Sequence, residues 1–262
     1  MLALIAGQGM LPGILAAHMD QPPLICALEG FEPDGLTPDM VFRIETLGSF
    51  LAAMSDKGIN EVCFAGAITR PVIDPAAIDA ATLPLVPVLH AAIQSGDDSA
   101  LRAVMGIFEN HGFSIRAAHE IVPSLLPDAG MLGQVQPGAQ DETDAARGAA
   151  IVSAMAQVDI GQACVVAQGQ ALAVEALFGT DWMLASLAQR PAHPKGGLLF
   201  KAPKPEQDRR ADLPTIGPST VRAVQDAGLR GIVVAAGGVM ILERDAVIKA
   251  CDAAGLFLWV RA

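Results

Sequence analysis

Two segments of the sequence place residues suited to binding phosphate at turns between regular elements. The first, Gly7-Gln8-Gly9-Met10-Leu11-Pro12-Gly13, follows an apolar run and opens a helical pattern. Glycines at Gly7 and Gly9 allow a phosphate to approach backbone N–H groups at a helix N-terminus. The third glycine comes one position later than in the dinucleotide fingerprint, and glycine also serves tight turns that bind nothing. The turn therefore favours a phosphate or nucleotide contact more than a dinucleotide.

The second segment, residues 201–217, is a proline-containing loop with four cationic and three acidic side chains. Lysine and arginine neutralise phosphate oxygens, and Asp208 and Asp212 offer the hard oxygen ligands that Mg²⁺ prefers. Charged runs are usually solvated surface, and that interpretation stays open. Prolines stiffen the loop, and Thr215-Ile216-Gly217 leads into a helix, which favours a site of fixed geometry.

Polar residues also follow two other predicted strands. Gly66-Ala67-Ile68-Thr69-Arg70-Pro71 comes directly after one strand, where ligands of open parallel sheets bind, and Arg70 is suited to a phosphate or diphosphate. The alternative is a surface arginine beside a rigid turn. Glu175 ends a later apolar strand, and Gly179-Thr180-Asp181 opens the next helix, where a plain helix cap is the simpler interpretation of Thr180 or Asp181.

Composition excludes several classes of protein. Of the 262 residues, 52% are hydrophobic, which is ample for a folded core. The 28 acidic side chains against 17 lysines and arginines give a net charge of −11. This charge argues against a nucleic-acid binder and against attachment to anionic lipid through a basic patch. The chain has no tyrosine, so catalysis by a Tyr–Lys pair is excluded.

The sequence also predicts a cytoplasmic protein. The longest stretch without charged or strongly polar residues is 231–242, whereas a bilayer span takes about 20 apolar residues. The N-terminal residues lack the basic flank of a signal peptide. No pair of cysteines has metal or redox spacing, so all four are interpreted as buried thiols. None of the five histidines has metal-site spacing, and His119 is interpreted as structural.

Apolar runs alternate with helical patterns in the first half of the chain, which predicts a parallel sheet with crossover connections. The predicted strands there are 2–6, 24–28 and 61–65. The predicted helices are 47–57, 83–94, 99–110 and one that follows the Gly7-Gln8-Gly9 turn and ends near His18. The glycine- and proline-rich stretch 127–140 is typical of a linker. The second half is predicted to contain helices 141–157, 219–227, 244–254 and one from Thr180, with strands 163–167, 170–175, 197–201, 232–235, 239–242 and 256–260.

The sequence thus predicts an α/β protein of two domains. Residues 1–130 form a parallel-sheet N-terminal domain, and residues 131–262 form a smaller α/β C-terminal domain that carries the 201–217 loop.

Several short motifs, taken in order along almost the whole chain, resemble one family. They are Leu4-Ile5-Ala6-Gly7-Gln8-Gly9, Phe64-Ala65-Gly66 through Arg70-Pro71, Gly96-Asp97-Asp98, Ala118-His119-Glu120, Asp159-Ile160-Gly161-Gln162, Leu172-Ala173-Val174-Glu175-Ala176, Gly179-Thr180-Asp181, Lys201-Ala202-Pro203-Lys204-Pro205 and Asp212-Leu213-Pro214-Thr215-Ile216-Gly217. Each motif alone is weak, but the ordered set is specific. The chain resembles the UDP-2,3-diacylglucosamine pyrophosphatases of the LpxI type.

This resemblance implies an enzyme of lipid A synthesis that uses Mg²⁺ and water to split the diphosphate of UDP-2,3-diacylglucosamine, giving UMP and 2,3-diacylglucosamine 1-phosphate. It implies a Rossmann-like N-terminal domain, a distinct C-terminal domain and a homodimer. The acyl chains of such a substrate imply peripheral, transient contact with the inner face of the inner membrane. The essential aspartate of the family matches Asp212.

The resemblance and the local patterns together predict the site residues. The catalytic residue is Asp212, and the Mg²⁺ ligands are Asp212, Asp181 and Glu175. The substrate-binding residues are Gly7, Gly9, Gly66, Arg70, Thr180, Lys201, Gln207 and Thr215. Phe178 and Ala235 stand where relatives usually have Glu, and Gln168 replaces an acid often found in the hairpin turn. If those acids ligate metal in the family, the site here is weaker or rearranged.

Two alternatives stay open at this point. An NAD(P)-dependent oxidoreductase rests on the glycine turn and on Glu29, which ends the second predicted strand, where an acid could bond a ribose hydroxyl. A non-catalytic nucleotide- or lipid-binding protein becomes more plausible with the three missing acids.

Overall fold

The computed structural model describes residues 1–69, 71–94, 97–189, 196–205 and 207–262. The chain divides into two compact units of similar length. The N-terminal unit contains Met1–Pro123 together with Asp208–Asp212, and the C-terminal unit contains Ser124–Gln207 and Leu213–Ala262.

The N-terminal unit is built on a five-stranded parallel sheet of order β3-β2-β1-β4-β5. Its elements are β1 (Leu2–Ala6), α1 (Leu11–His18), β2 (Leu24–Leu28), β3 (Met40–Phe42), α2 (Leu47–Asp56), β4 (Glu61–Ala65), α3 (Val86–Ile93), α4 (Asp97–Asn110), β5 (Ser114–Ile115) and α5 (Ala118–Ile121). All five residues of β1 are buried, as expected for the central strand of a parallel sheet. The predicted parallel sheet is confirmed.

The edges of this sheet contain elements that the sequence patterns did not predict. β3 has three residues and β5 has two, which is too short for a hydrophobic period to be visible. Packing from other elements secures β3, because the ring of Phe42 stacks on Phe50 of α2 with centroids 4.0 Å apart.

The C-terminal unit contains the remaining elements. They are β6 (Gly130–Leu132), α6 (Ala139–Ala156), β7 (Ala163–Ala167), β8 (Gln170–Val174), α7 (Gly179–Ser186), β9 (Leu198–Lys201), β10 (Thr215–Ile216), α8 (Pro218–Asp226), β11 (Gly231–Ala235), β12 (Met240–Ile241), α9 (Arg244–Ala254) and β13 (Phe257–Arg261). The larger sheet has the order β6-β13-β11-β9-β7-β8, and β10 pairs with β12 in a separate parallel pair.

Both faces of the larger sheet are covered, because its strands alternate between two apolar clusters. Val165, Leu199 and Val234 join one cluster with residues of α7, α8 and α9. Phe200 and Val233 face the other side, which α6 covers. This alternation is what a three-layer α/β arrangement requires.

The predicted domain boundary at 130/131 lies inside β6, which pairs with β13 of the C-terminal unit. The structural division falls earlier, after Pro123. Two further differences concern the predicted C-terminal domain: it is not smaller than the first unit, and residues 208–212 of its charged loop pack in the N-terminal unit. A linker pattern marks flexible composition, whereas strand pairing decides which unit a segment joins.

All four cysteines are free and buried, as predicted: Cys26, Cys63, Cys164 and Cys251. Burial raises the pKa of the Cys63 and Cys164 thiols to about 12. No helix within the described ranges is long and apolar enough to cross a membrane.

Candidate functional site

The loops after β1 and β4 are joined to each other at the carboxyl edge of the N-terminal sheet. The Gly7 N–H donates to the Ala65 carbonyl at 2.8 Å, and Gln8 and Ala67 exchange two backbone hydrogen bonds of 3.0 and 2.8 Å. A Cβ atom on Gly7 would lie 2.5 Å from the Ala67 oxygen. On Gly66, whose φ is +91°, it would lie 2.6 Å from the Gly7 oxygen. Close backbone approach therefore explains why glycine occupies both positions.

The next glycine in the turn also has an internal partner. The Gly9 N–H donates to Asp34 Oδ2 at 2.8 Å, so the three successive N–H groups of residues 7–9 all donate to protein atoms. Glu29 forms an ion pair with Arg43 at 3.1 Å. The two features behind the oxidoreductase alternative thus have structural explanations. The predicted phosphate contacts of Gly7, Gly9 and Gly66 stay predictions, and Arg70 lies outside the described residues.

The segment Asp208–Asp212 is held by an ion-pair clamp within the N-terminal unit. The Arg210 guanidinium donates to both carboxylate oxygens of Asp208, at 3.0 and 2.8 Å, and to Glu109 of α4 at 2.6 Å. These hydrogen bonds from Arg210 hold the pKa of the Asp208 carboxyl below its ordinary value. Asp208 is thus the counter-ion of a neighbouring cation.

Asp212 follows this clamp directly. Its side chain is half-buried, and its N–H donates to the Asp208 carbonyl at 3.3 Å. The next two residues, Leu213 and Pro214, are buried, and Thr215 begins β10. The backbone is therefore fixed on both sides of Asp212.

A buried polar network in the C-terminal unit brings together four of the predicted site residues. The Thr180 hydroxyl, in the first turn of α7, donates to Glu175 Oε1 at 2.6 Å. Lys201 Nζ, at the end of β9, donates to Thr180 Oγ1 at 2.9 Å and to the Thr215 carbonyl at 3.1 Å. Glu175, Thr180 and Lys201 are each less than a tenth exposed. Burying the ammonium and the carboxylate in one network compensates their charges.

The helix-cap interpretation of Thr180 is wrong. α7 begins after Phe178 without a side-chain cap, and the Thr180 hydroxyl is engaged by Glu175 and Lys201 instead. Local sequence could not reveal this, because Lys201 is contributed by a strand twenty-one positions away.

Gln207 closes the loop that follows Lys201. Its side-chain oxygen accepts from the Lys204 N–H, and its own N–H donates to the Lys204 carbonyl, both at 3.1 Å. Lys204 Nζ in turn pairs with Asp159 at 2.5 Å. Gln207 is buried, so the structure shows it shaping the loop, and its contact with substrate stays a prediction.

Among the described residues, two buried side-chain atoms have no hydrogen-bond partner, and neither was predicted as part of the site. Gln162 Oε1 has no hydrogen-bond partner although the Gln162 N–H donates to Glu175 Oε2 at 2.8 Å. In the N-terminal unit, His119 Nδ1 is likewise unpartnered, and burial lowers the pKa of its imidazole. The available signal was that each residue belongs to a motif on which the family resemblance rests.

The predicted metal ligands differ in their surroundings. Within the part of the chain that the structure describes, no three His, Cys, Asp or Glu side chains form a group that could hold a metal ion. Both oxygens of Glu175 accept protein hydrogen bonds, and Asp181 is exposed in the first turn of α7. The assignment of Asp212, Asp181 and Glu175 as ligands stays a prediction.

Comparison with protein families finds two matching domain models. The model of the LpxI N-terminal domain matches residues 1–125, and that of the LpxI C-terminal domain matches residues 128–259. The chain belongs to the LpxI family. It is 39% identical over 268 residues to the UDP-2,3-diacylglucosamine pyrophosphatase LpxI of Caulobacter vibrioides, which covers 98% of this chain and 96% of the relative.

The three positions that depart from the expected LpxI pattern lie in different settings. Phe178 is 69% exposed before α7 and packs on Trp182. Ala235 ends β11. Gln168 lies in the β7–β8 turn, where Asp144 accepts the N–H groups of Gln168 and Gly169 at 2.9 and 2.6 Å. Asp144, a buried acid of α6, thus anchors that turn.

Proposed function

We propose that this chain hydrolyses the diphosphate of UDP-2,3-diacylglucosamine to UMP and 2,3-diacylglucosamine 1-phosphate, a step of lipid A synthesis. The observation that carries the proposal is the near-full-length similarity to a UDP-2,3-diacylglucosamine pyrophosphatase. In this reaction water adds to one phosphorus atom, and the bridging P–O bond breaks.

Asp212 is the proposed catalytic residue. Its half-buried carboxylate stands on a backbone that is fixed by the Arg210 clamp on one side and by β10 on the other. A carboxylate in a fixed position can accept a proton from water or hold a metal ion without the entropic cost of ordering a mobile loop.

The proposed cofactor is Mg²⁺, held by Asp212. When bound, Mg²⁺ would neutralise charge on the diphosphate oxygens. Magnesium is usually bound by one or two carboxylates and completed by substrate phosphates and water. Such a site needs no group of three protein carboxylates. Of the two further ligands proposed, Asp181 is the better candidate, because both oxygens of Glu175 are hydrogen-bonded.

Substrate binding is proposed for Thr180, Lys201, Gln207 and Thr215. Three of them meet in the buried network at the end of β9, where Lys201 supplies the positive charge. We also propose a cytoplasmic homodimer that touches the membrane only peripherally, since the diacylated substrate has to be drawn from a bilayer.

Release of UMP by the purified chain, with and without Mg²⁺, tests the activity. Asp212→Asn keeps the shape of the side chain and removes its charge, so we expect turnover to fall by about 10²-fold or more with little change in melting temperature. Asp208→Asn is the matched control, and it should lose far less activity. Near-native turnover of Asp212→Asn would remove this residue from catalysis. Failure of the wild-type chain to release UMP would overturn the proposed function, and stabilisation by NAD(H) rather than UMP in a thermal-shift assay would favour the oxidoreductase alternative.

A further inference from the structure

An exposed apolar surface lies beside the buried network of the C-terminal unit. Six large apolar side chains there are between 43% and 87% exposed. We call this surface the apolar patch, and its members are Val158, Ile160, Val174, Leu177, Phe178 and Trp182. Clustered exposed apolar side chains in a folded protein mark an interaction surface, whereas scattered ones need no explanation.

The patch comes from two segments that touch each other. A Cβ atom on Gly161 would lie 2.3 Å from the Glu175 oxygen, and the Gln162 N–H donates to the Glu175 carboxylate. Residues 158–160 therefore lie next to the start of the 174–182 segment. Within that segment the rings of Phe178 and Trp182 pack together with centroids 5.3 Å apart.

The charges around the patch restrict what it can bind. Lys204 is paired with Asp159 at 2.5 Å, so these charges cancel. Asp181, next to Trp182, is exposed. The chain as a whole carries a charge of −11. An anionic surface would be repelled, whereas a surface without net charge would not.

The chemistry of the patch matches the interface of a bilayer. Tryptophan and phenylalanine side chains settle at the boundary between head groups and hydrocarbon, and aliphatic side chains beside them enter the acyl region. The patch is also continuous with the network, because Thr180 lies between Phe178 and Trp182 in the first turn of α7.

We propose that the apolar patch docks on the interfacial region of a lipid bilayer with zwitterionic head groups. The biological reason for this contact rests on the proposed function, since a diacylated substrate resides in a membrane. The contact itself depends only on the exposed side chains, so it is measurable without substrate.

Binding to phosphatidylcholine vesicles tests the proposal directly. We expect the full chain to sediment with these vesicles at high salt, where ionic attraction is screened. Trp259→Phe leaves Trp182 as the single tryptophan. In that variant we expect a blue shift of emission on vesicle addition and quenching by lipids brominated along the acyl chain.

The double variant Phe178→Glu/Trp182→Glu removes the aromatic pair. Because the substitutions remove two aromatic rings from the patch and add two charges, we expect vesicle binding at least about tenfold weaker. The control Val72→Glu/Leu83→Glu adds the same charge at two exposed apolar side chains of the N-terminal unit and should bind like the wild type. Melting curves establish that both variants are folded.

Any of three vesicle results would overturn the proposal: no vesicle binding by the wild type, equal losses in both double variants, or binding only to anionic vesicles that salt abolishes. If sedimentation velocity shows that the patch variant changes from dimer to monomer while vesicle binding is unchanged, the patch binds a second copy of the chain instead. The second patch variant Val158→Glu/Leu177→Glu leaves position 178 unchanged and should also bind vesicles more weakly. It should keep UMP release from detergent-dispersed substrate, so this assay separates the proposal from the function.

Discussion

The carboxyl edge of the N-terminal sheet and the buried network of the C-terminal unit are held together by different kinds of contact. At the carboxyl edge, the loops after β1 and β4 are joined by backbone hydrogen bonds. Glycine occupies positions 7 and 66 because the two backbone segments lie too close together for a Cβ atom. At the second, the side chains of Glu175, Thr180 and Lys201 hydrogen-bond in the interior.

This difference shows that a sequence motif that is easy to recognise is not for that reason the one that forms a functional site. The glycine turn is the most obvious local pattern in the sequence, yet its N–H groups donate to protein acceptors. The network is dispersed over forty positions, and no local pattern shows that its residues meet, yet it holds buried charge. Buried charge is costly unless it is paired, so its presence is the stronger sign of a site.

The largest expected loss of stability comes from a substitution at the carboxyl edge of the N-terminal sheet. Gly66→Ala places a Cβ atom 2.6 Å from a backbone oxygen at a φ of +91°. Backbone strain and overpacking together should lower the free energy of unfolding by about 3–5 kcal/mol. Chemical denaturation of the purified variant measures this value.

Gly58→Ala is the matched control, since its φ is +73° and no atom lies within 4 Å of the added Cβ. It should cost only about 1–2 kcal/mol. Equal losses in the two variants would mean that contact between the loops does not require the glycine.

A smaller effect is expected from the second region. Thr180→Val removes the hydroxyl that joins Glu175 to Lys201 and leaves buried polar groups with one partner fewer. The free energy of unfolding should fall by about 1–3 kcal/mol. Thr143→Val is the control, because the Thr143 hydroxyl is exposed and bonds only a carbonyl of its own helix. A loss in Thr180→Val no larger than in this control would show that the network does not stabilise the unit.

The smallest effect concerns the Arg210 clamp. The pKa of Asp208 is lowered in the folded chain by the hydrogen bonds from Arg210. The clamp therefore stabilises the fold above the ordinary Asp pKa of about 3.9 and stops doing so as the pH falls through the lower folded value.

Because Arg210 is 41% exposed, the gain at neutral pH should be below about 1 kcal/mol. Unfolding free energies measured from neutral to acidic pH should fall less steeply in Asp208→Asn than in the wild type. Parallel curves would show that the pair contributes nothing to stability.

Much of the fold could be predicted from hydrophobic period alone. β1, β2 and β4 have the predicted bounds, and α9 spans Arg244–Ala254 as predicted. Long apolar runs and helical patterns determine their own conformation, because only one of the two conformations, helix or strand, places all their apolar side chains on a buried face. β3 and β5 were not predicted, because segments of two or three residues show no hydrophobic period and are ordered by the elements that pack against them.

The sequence by itself determined which chemical groups are present: Asp212 beside cations, Glu175 and Thr180 around a turn, and Lys201 at a strand end. Only the tertiary structure decided which of them meet. It joined Arg210 to Glu109 of α4, joined Thr180 to Lys201, and placed residues 208–212 in the N-terminal unit. Side-chain pairing depends on the distances between elements that are far apart in the chain, and the local hydrophobic pattern of a segment carries no information about those distances.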